Sequence, residues 1–473
     1  MRRLEIPAEE PGNVFRATRT LRAYTLFASV MSGLLLWGAT AKAEIYLLKK
    51  DKPEDWEVSI NGRVNAYLSW VHGETVNTGN SGNLTGAGAI DRYVLVGPQI
   101  GIRGNPTPTS GTASPVDDKD VSTPRIRGGF ASTILAFNIY KQVLPNVKLS
   151  VKLAFWAGIQ NSLNPNKNNV REFNDSVAVD FREQYMQLEG TWGSTWGGRR
   201  IGLFNRGGMR MNWFLIHQHG VGHPCDVDSG GAATCGHTGT GSMFPARHAQ
   251  LGYATPELAG FQLSVAALDA AMIDTSWNRT PTPRFEAELT YKKTFGEGNE
   301  LNAWANGLTQ QIGRVTEVAP QPGVDGISAD AVLNVYGFGG GAWGRFSGFG
   351  LGATGWAGDG LGTAWALGNT AVDNIGKLRK HFGYLAAVNY KLGNFEIAAS
   401  YGGVHVQATD WDNDPNNPQK VSVIKQIRGI GGKLAYHMTP VVFSIDGMNL
   451  AYKWHRNETQ AANVISAGML AEW

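Results

Sequence analysis

Reactive side chains are concentrated between residues 207 and 246. The chain's two cysteines, Cys225 and Cys235, stand there with nine residues between them, and four of its ten histidines, His217, His219, His223 and His237, surround them. Cysteines of an exported protein are expected to pair. A Cys225–Cys235 disulfide would close a small loop around Asp226 and Asp228, with free thiols or intermolecular pairing as the alternatives. Thiolates and imidazoles are also zinc-ligand types, but this spacing matches no standard ligand set and a disulfide would remove both thiolates. No metal or cofactor is therefore expected, and the loop histidines are read as polarity.

Catalytic constellations are not found. The glycine run 337–341 sits inside an alternating stretch rather than between a strand and a helix, so it is no phosphate cradle. No Gly-x-Ser-x-Gly elbow occurs, and the Ser and His residues on alternating stretches show no partner pattern. No enzyme is expected. Nucleic acid is excluded as a partner by charge: residues 1–43 hold six of the 42 basic and three of the 39 acidic residues, leaving 36 of each. Binding to phosphate backbones needs many unopposed cations.

The elements that position these residues follow from periodicity. Residues 25–40 are one apolar stretch preceded by Arg16, Arg19 and Arg22 and followed by Ala41-Lys42-Ala43. This predicts an export signal over 1–43, cleaved after Ala43; a retained anchor would want a longer stretch, ~20 residues. Past residue 43 no second apolar run is long enough for a spanning helix. Residues 58–71 instead alternate strictly, with Val58, Ile60, Val64, Leu68 and Trp70 on one face and Ser59, Asn61, Arg63, Asn65 and Ser69 on the other. Ordinary strands average ~5 to 6 residues, whereas a bilayer-crossing strand needs about 9 to 11. The stretch 147–161 repeats the pattern with Lys148 and Lys152 on its polar face, and 285–295 sets Phe285, Ala287 and Leu289 against Glu286, Glu288 and Thr290.

Sixteen strands are predicted, near 57–71, 122–142, 147–161, 179–191, 195–206, 247–255, 260–270, 283–295, 300–313, 330–344, 348–358, 380–391, 394–407, 421–438, 441–456 and 463–473. Long connections alternate with tight turns such as Leu144-Pro145-Asn146 and Leu392-Gly393. Hydrocarbon requires every backbone polar group to be paired internally, which strands achieve only in a sheet without edges. The predicted fold is therefore all-β, a closed antiparallel transmembrane β-barrel occupying 44–473. Gly, 61 of 473 residues against a usual ~7%, and a low charged fraction of 17% agree with such a wall.

Three motifs carry a resemblance. Arg182-Glu183-Gln184-Tyr185-Met186-Gln187-Leu188-Glu189-Gly190-Thr191-Trp192-Gly193 resembles a strand-turn-strand of the general bacterial outer-membrane porins. Tyr253-Ala254-Thr255-Pro256-Glu257-Leu258-Ala259-Gly260-Phe261 is similar to their Tyr-x-Ser-Pro-x-x-x-Gly-Phe turn, with Thr for Ser. The terminal Trp473, closing a half-apolar strand, resembles the assembly signal of such barrels. The resemblance implies a sixteen-stranded, usually homotrimeric channel in the bacterial outer membrane, surrounded by lipid. In that family a long third loop folds into the lumen, and here that loop is 207–246. The chain departs from the family in its longer first loop, 72–121, and in an acidic run reduced to Asp226 and Asp228.

Selectivity in a pore is set by its width and the charges at its narrowest point. The candidate lining is basic: Arg125, Arg127, Lys148, Lys152, Arg182, Arg200, Arg206 and Arg210, a wall of cations facing Asp226 and Asp228. For Arg199, Arg200 and Arg210 a place at the headgroup rims is the alternative. The expected function is passive diffusion of small hydrophilic solutes and ions. A solute-selective channel for anions, phosphate or sugars, or a surface scaffold or adhesin, are the other readings.

Overall fold

A computed structural model of the chain describes residues 45–52, 54–73, 121–159, 179–222, 234–273, 277–296, 298–314, 331–368, 370–373, 375–414, 423–455 and 459–473. Its strands are β1 (Ile45–Leu48), β2 (Glu57–Gly73), β3 (Val121–Arg127), β4 (Thr133–Leu144), β5 (Val147–Ala157), β6 (Val179–Gly190), β7 (Gly193–Ile201), β8 (Arg247–Ala254) and β9 (Phe261–Leu268). They continue with β10 (Arg284–Thr294), β11 (Glu300–Gly313), β12 (Val332–Phe346), β13 (Phe349–Asp359), β14 (Lys380–Leu392), β15 (Phe395–Gln407), β16 (Ile424–Met438), β17 (Val441–Trp454) and β18 (Thr459–Glu472). From β4 onward each strand pairs antiparallel with the next, and β18 returns to β2, with Ser466 opposite Ser69. The ring has no open edge, which is what a wall in hydrocarbon must satisfy.

Sixteen wall positions result, because β3 and β4 share one. The 67–73 half of β2 pairs with β3 and its 57–63 half with β4. The sequence predicts one strand over 122–142; the structure breaks it at 128–132. There the side chain of Asn65 substitutes for the ladder, donating to the Ala131 carbonyl and accepting from Gly129 N at 2.7 Å, while Arg63 Nε donates to the Ser132 carbonyl at 2.9 Å. The freed backbone turns inward, and Phe130 N donates to the Gly220 carbonyl at 3.3 Å. One element escapes the periodicity altogether: β1, four residues long, pairs with β2 through Ile45 and Ile60, beyond the end of β18. Trp473 and Gly62 close that seam with two backbone bonds, of 2.9 and 3.0 Å.

The predicted faces hold. In β2 the residues Ser59, Asn65 and Ser69 are buried inside, whereas Val64 and Leu68 stand exposed on the outer surface. Leu251, Phe338, Ile397 and Leu434 present the same apolar exterior around the ring. Inside, glycines let an inner segment lie against the wall, and Gly207 shows the constraint most sharply. A Cβ there would fall 2.2 Å from the Trp304 ring of β11. Gly207→Leu is therefore expected to lift this segment from the wall, destabilising the barrel by about 1 to 3 kcal/mol, as overpacking does. A thermal midpoint equal to the parent's would refute the contact.

Candidate functional site

The chain leaves β7 and enters the barrel instead of forming an outer loop. Its root is fixed by one carboxylate: Glu286 Oε2 on β10 accepts from Leu203 N at 2.5 Å and Phe204 N at 3.0 Å. Asn205, at φ 58°, then turns the chain inward, with its amide donating to the Met243 carbonyl at 2.9 Å. A short helix, α1 (Arg206–Asn212), follows and runs directly into a π-helical turn, Trp213–His217. Met211, Leu215 and Ile216 on this segment form an apolar cluster with Trp304, Trp343, Leu385, Ala387 and Ala398 of the wall.

Beyond the helical turn the loop crosses to the far strands. Ser444 on β17 donates to the His219 carbonyl, and Asp446 Oδ2 accepts from Val221 N at 2.6 Å and Gly222 N at 3.0 Å. The returning part lies on β13 to β15, where Trp356 Nε1 donates to the Gly241 carbonyl at 2.9 Å and His237 Nε2 sits 2.7 Å from Ser400 Oγ. Attachment on so many strands buries almost every described residue of the loop. Four of the less buried residues define a face: Arg210 and Phe214 are exposed, and Trp213 and Gln218 are half-buried, as Cys235, Phe244 and Ala246 are on the loop's return. Their spacing of three, four and eight is one side of a helix, which the wall touches at its margin, where the Phe214 ring meets Trp343 of β12 at 5.7 Å.

Cations gather around this face. Arg210 stands on the face itself, beside Arg206 and Arg200. The Arg63 guanidinium lies 4.4 Å from the Trp213 ring, and Arg345 on β12 donates to the Phe214 carbonyl at 2.8 Å. Arg200 stacks over Tyr185 and Trp196, 4.8 Å from each ring, and bonds Gln187 Oε1 at 2.9 Å. The ring contacts hold Arg200 in place without neutralising it, whereas Arg63 and Arg345 are also ion-paired, with Glu472 at 3.6 Å and with Glu300 at 3.7 Å.

Of the residues singled out by sequence, Arg200, Arg206 and Arg210 come together at the loop root. Arg206 does not stand free there; it is ion-paired with Glu288 on β10. Lys152 likewise meets Glu183 on β6, 2.7 Å away, where Arg247 also approaches to 3.7 Å. Lys148 lies near the short turns over Tyr140, 4.5 Å from its ring. Arg127 is buried on β3, and Arg125 pairs with Ser69 across the ladder, its side chain being outside the described residues. Arg182 is a bulge residue, lying between the pairs Phe181–Phe155 and Glu183–Ala154, so alternation assigns it no face. Arg199 is exposed on the side opposite Arg200. Cys225, Asp226, Asp228 and His223 fall outside the described residues, and Cys235 is half-buried at the return of the loop.

The expected wall of cations is thus partly balanced by strand carboxylates, Glu183, Glu286 and Glu288, that sequence reading left out of the site. The polar face of β10 held the signal for the latter two. An acid in the middle of a lumen-facing stretch needs a buried partner, and Arg284 and Arg206 supply it.

The loop also carries a pH dependence. Burial pushes His237 down to about 4, and drives His217, whose ring centroid is 5.4 Å away, down as well. Both are neutral when docked. An imidazole of folded pKa near 4 binds fewer protons between pH 4 and 6.5 than it does when the loop is released. Docking is therefore fully stable above about pH 6.5 and weakens as the pH falls from there toward 4. Protection factors for amide exchange at 237–243 are expected to fall as the pH drops across that interval, and less so in His237→Gln; protection that stays constant would contradict it.

No protein-family model matches the chain, and no curated protein does. Among solved structures it resembles the outer membrane channel DcaP of Acinetobacter baumannii, with a TM-score of 0.56 at 14% identity, covering 93% of this chain and 100% of that one. It also resembles the anion-selective porin from Comamonas acidovorans, with a TM-score of 0.52 at 11% identity, covering 89% and 100%. At such identities the likeness is one of fold, and the chain has the closed sixteen-stranded barrel fold of the bacterial outer-membrane porins and channels.

Proposed function

We propose that this chain is an outer-membrane channel through which small hydrophilic solutes and ions diffuse passively, narrowed by the inner loop. The observation that carries the reading is the uncovered side of that loop. Arg210 and Phe214 are the two exposed residues of the described loop, with Trp213 and Gln218 half-buried beside them. A loop that served only to fill the barrel would have no reason to keep a charged guanidinium on its free side. Arg210, with Arg200 beside it, supports a preference for anions, because fixed cations at a narrow point lower the cost of an anion's lost water. The solved porin from Comamonas acidovorans is described as anion-selective, which agrees with that preference.

The aromatic pair Trp213 and Phe214 favours a second reading, a channel selective for particular solutes, since rings beside a guanidinium offer a surface for planar groups. The remaining expectations belong to the same proposal: an export signal over 1–43, a Cys225–Cys235 disulfide stiffening the loop, and a homotrimer. Conductance of the purified protein in a planar bilayer under a salt gradient tests the reading. Ohmic steps with a reversal potential of anion-selective sign are expected. Folded barrels that carry no current would overturn it, and block by one class of solute would move it to the second reading.

A further inference from the structure

The inner loop meets the wall at a cluster of side chains with no part in the reading above. His219 lies at the end of the loop's helical run, Glu396 near the start of β15 and His437 near the end of β16, both close to the short turns. One donor atom from each lies within 4.8 Å of the other two. His437 Nε2 is 2.9 Å from Glu396 Oε2, and the His219 and His437 rings meet edge to face with centroids 5.0 Å apart. The other carboxylate oxygen, Glu396 Oε1, accepts from Lys433 Nζ at 2.9 Å and Asn389 Nδ2 at 3.1 Å, so that Oε2 is the one directed at the imidazole. His219 is 3% exposed, and its Nδ1 is buried without a hydrogen-bond partner. A buried polar atom left unpaired costs about 1 to 3 kcal/mol, so its retention calls for a reason.

We infer that His219, Glu396 and His437 form a binding site for a divalent transition metal, with Zn2+ the best match in donor type. Two imidazoles and one carboxylate with a fourth position open to water is the donor set of open zinc sites. Calcium and magnesium take oxygen-rich sites with more ligands, which this cluster does not offer. Zinc bonds of ~2.0 to 2.2 Å put tetrahedral donors ~3.3 to 3.5 Å apart, so metal entry draws the loop imidazole toward the wall by roughly 1 Å. Lys433 and Asn389 hold the carboxylate in orientation, the task that outer partners perform around a metal. The Lys433 charge opposes a dication and sets the affinity below that of closed structural sites. A bound metal would join the loop to β15 and β16, beside the anchor that Asp446 already makes to β17.

Calorimetric titration of the chelator-stripped protein in detergent with ZnCl2, together with the metal content after dialysis, tests the inference. One Zn2+ per chain is expected, with binding weakened more than about tenfold in His219→Gln and in His437→Gln. His248→Gln, outside the cluster, should bind as the parent does, and CaCl2 should not compete. His437 is partly exposed, so its variant is the one expected to keep the parent's thermal midpoint and to separate lost binding from lost folding. No bound zinc, or undiminished binding in both variants, would overturn the assignment. The readout is independent of current, so a barrel that binds zinc but does not conduct would sink the channel and leave this site standing.

Discussion

Glu286→Ala is expected to free the inner loop at its root and to lower barrel stability by about 3 to 5 kcal/mol, the cost of removing one partner of a buried ion pair. Two losses coincide. Leu203 N and Phe204 N lose their acceptor, and Arg284, 2% exposed, is left as a buried charge without its carboxylate. Thermal unfolding in detergent reads the first effect. Single-channel conductance reads the second, because a loop no longer pinned beside β10 should give larger and noisier openings. Glu286→Gln keeps an acceptor but not the charge, and is expected to fall between the two. An alanine variant with the parent's midpoint and the parent's current would show that the loop is held elsewhere.

Arg210→Glu is the largest expected change in function. An ion passing about 6 Å from a fixed charge in water-like surroundings feels roughly 0.7 kcal/mol, so charge reversal alters each ion's energy by about 1.4 kcal/mol before screening. Salt at physiological strength screens over about 8 Å. What remains is a shift of about tenfold in the ratio of anion to cation permeability, read as a change of the reversal potential toward the cation side. Because Arg210 is exposed and the described structure gives it no ion pair, the variant should fold and melt as the parent does. An unchanged reversal potential would remove Arg210 from the pore.

How far the sequence discloses this arrangement depends on the range of the interaction. Alternation is local, so the sixteen wall positions and their faces could be read from stretches such as 58–71. The break at 128–132 could not, since it is made by Asn65 on another strand and by Gly220 on the loop. The bulge at Arg182 arises from its register with β5, which no single stretch contains. Within the site the basic residues were legible by type, but their neutralisation was not. That Glu288 meets Arg206 across 82 positions, and that Asp446 meets Val221 across 225, are facts of closure. The face formed by Arg210, Trp213 and Phe214 was hidden for a different reason: its helical spacing spans only nine residues within a loop otherwise read as irregular.

Closure also imposes an order of events on assembly. The seam joins β18 to β2, and across it Ser69 and Ser466 share a hydrogen bond at 2.6 Å despite a separation of 397 positions. Contacts so distant along the chain form slowly, because their loop entropy is lost before they return any stabilisation. The inner loop is gripped from β10 on one side of the ring and from β17 on the other. Both grips, like the seam, join parts of the chain that meet only as the ring rounds up, so the local hairpins are expected to form before any of them.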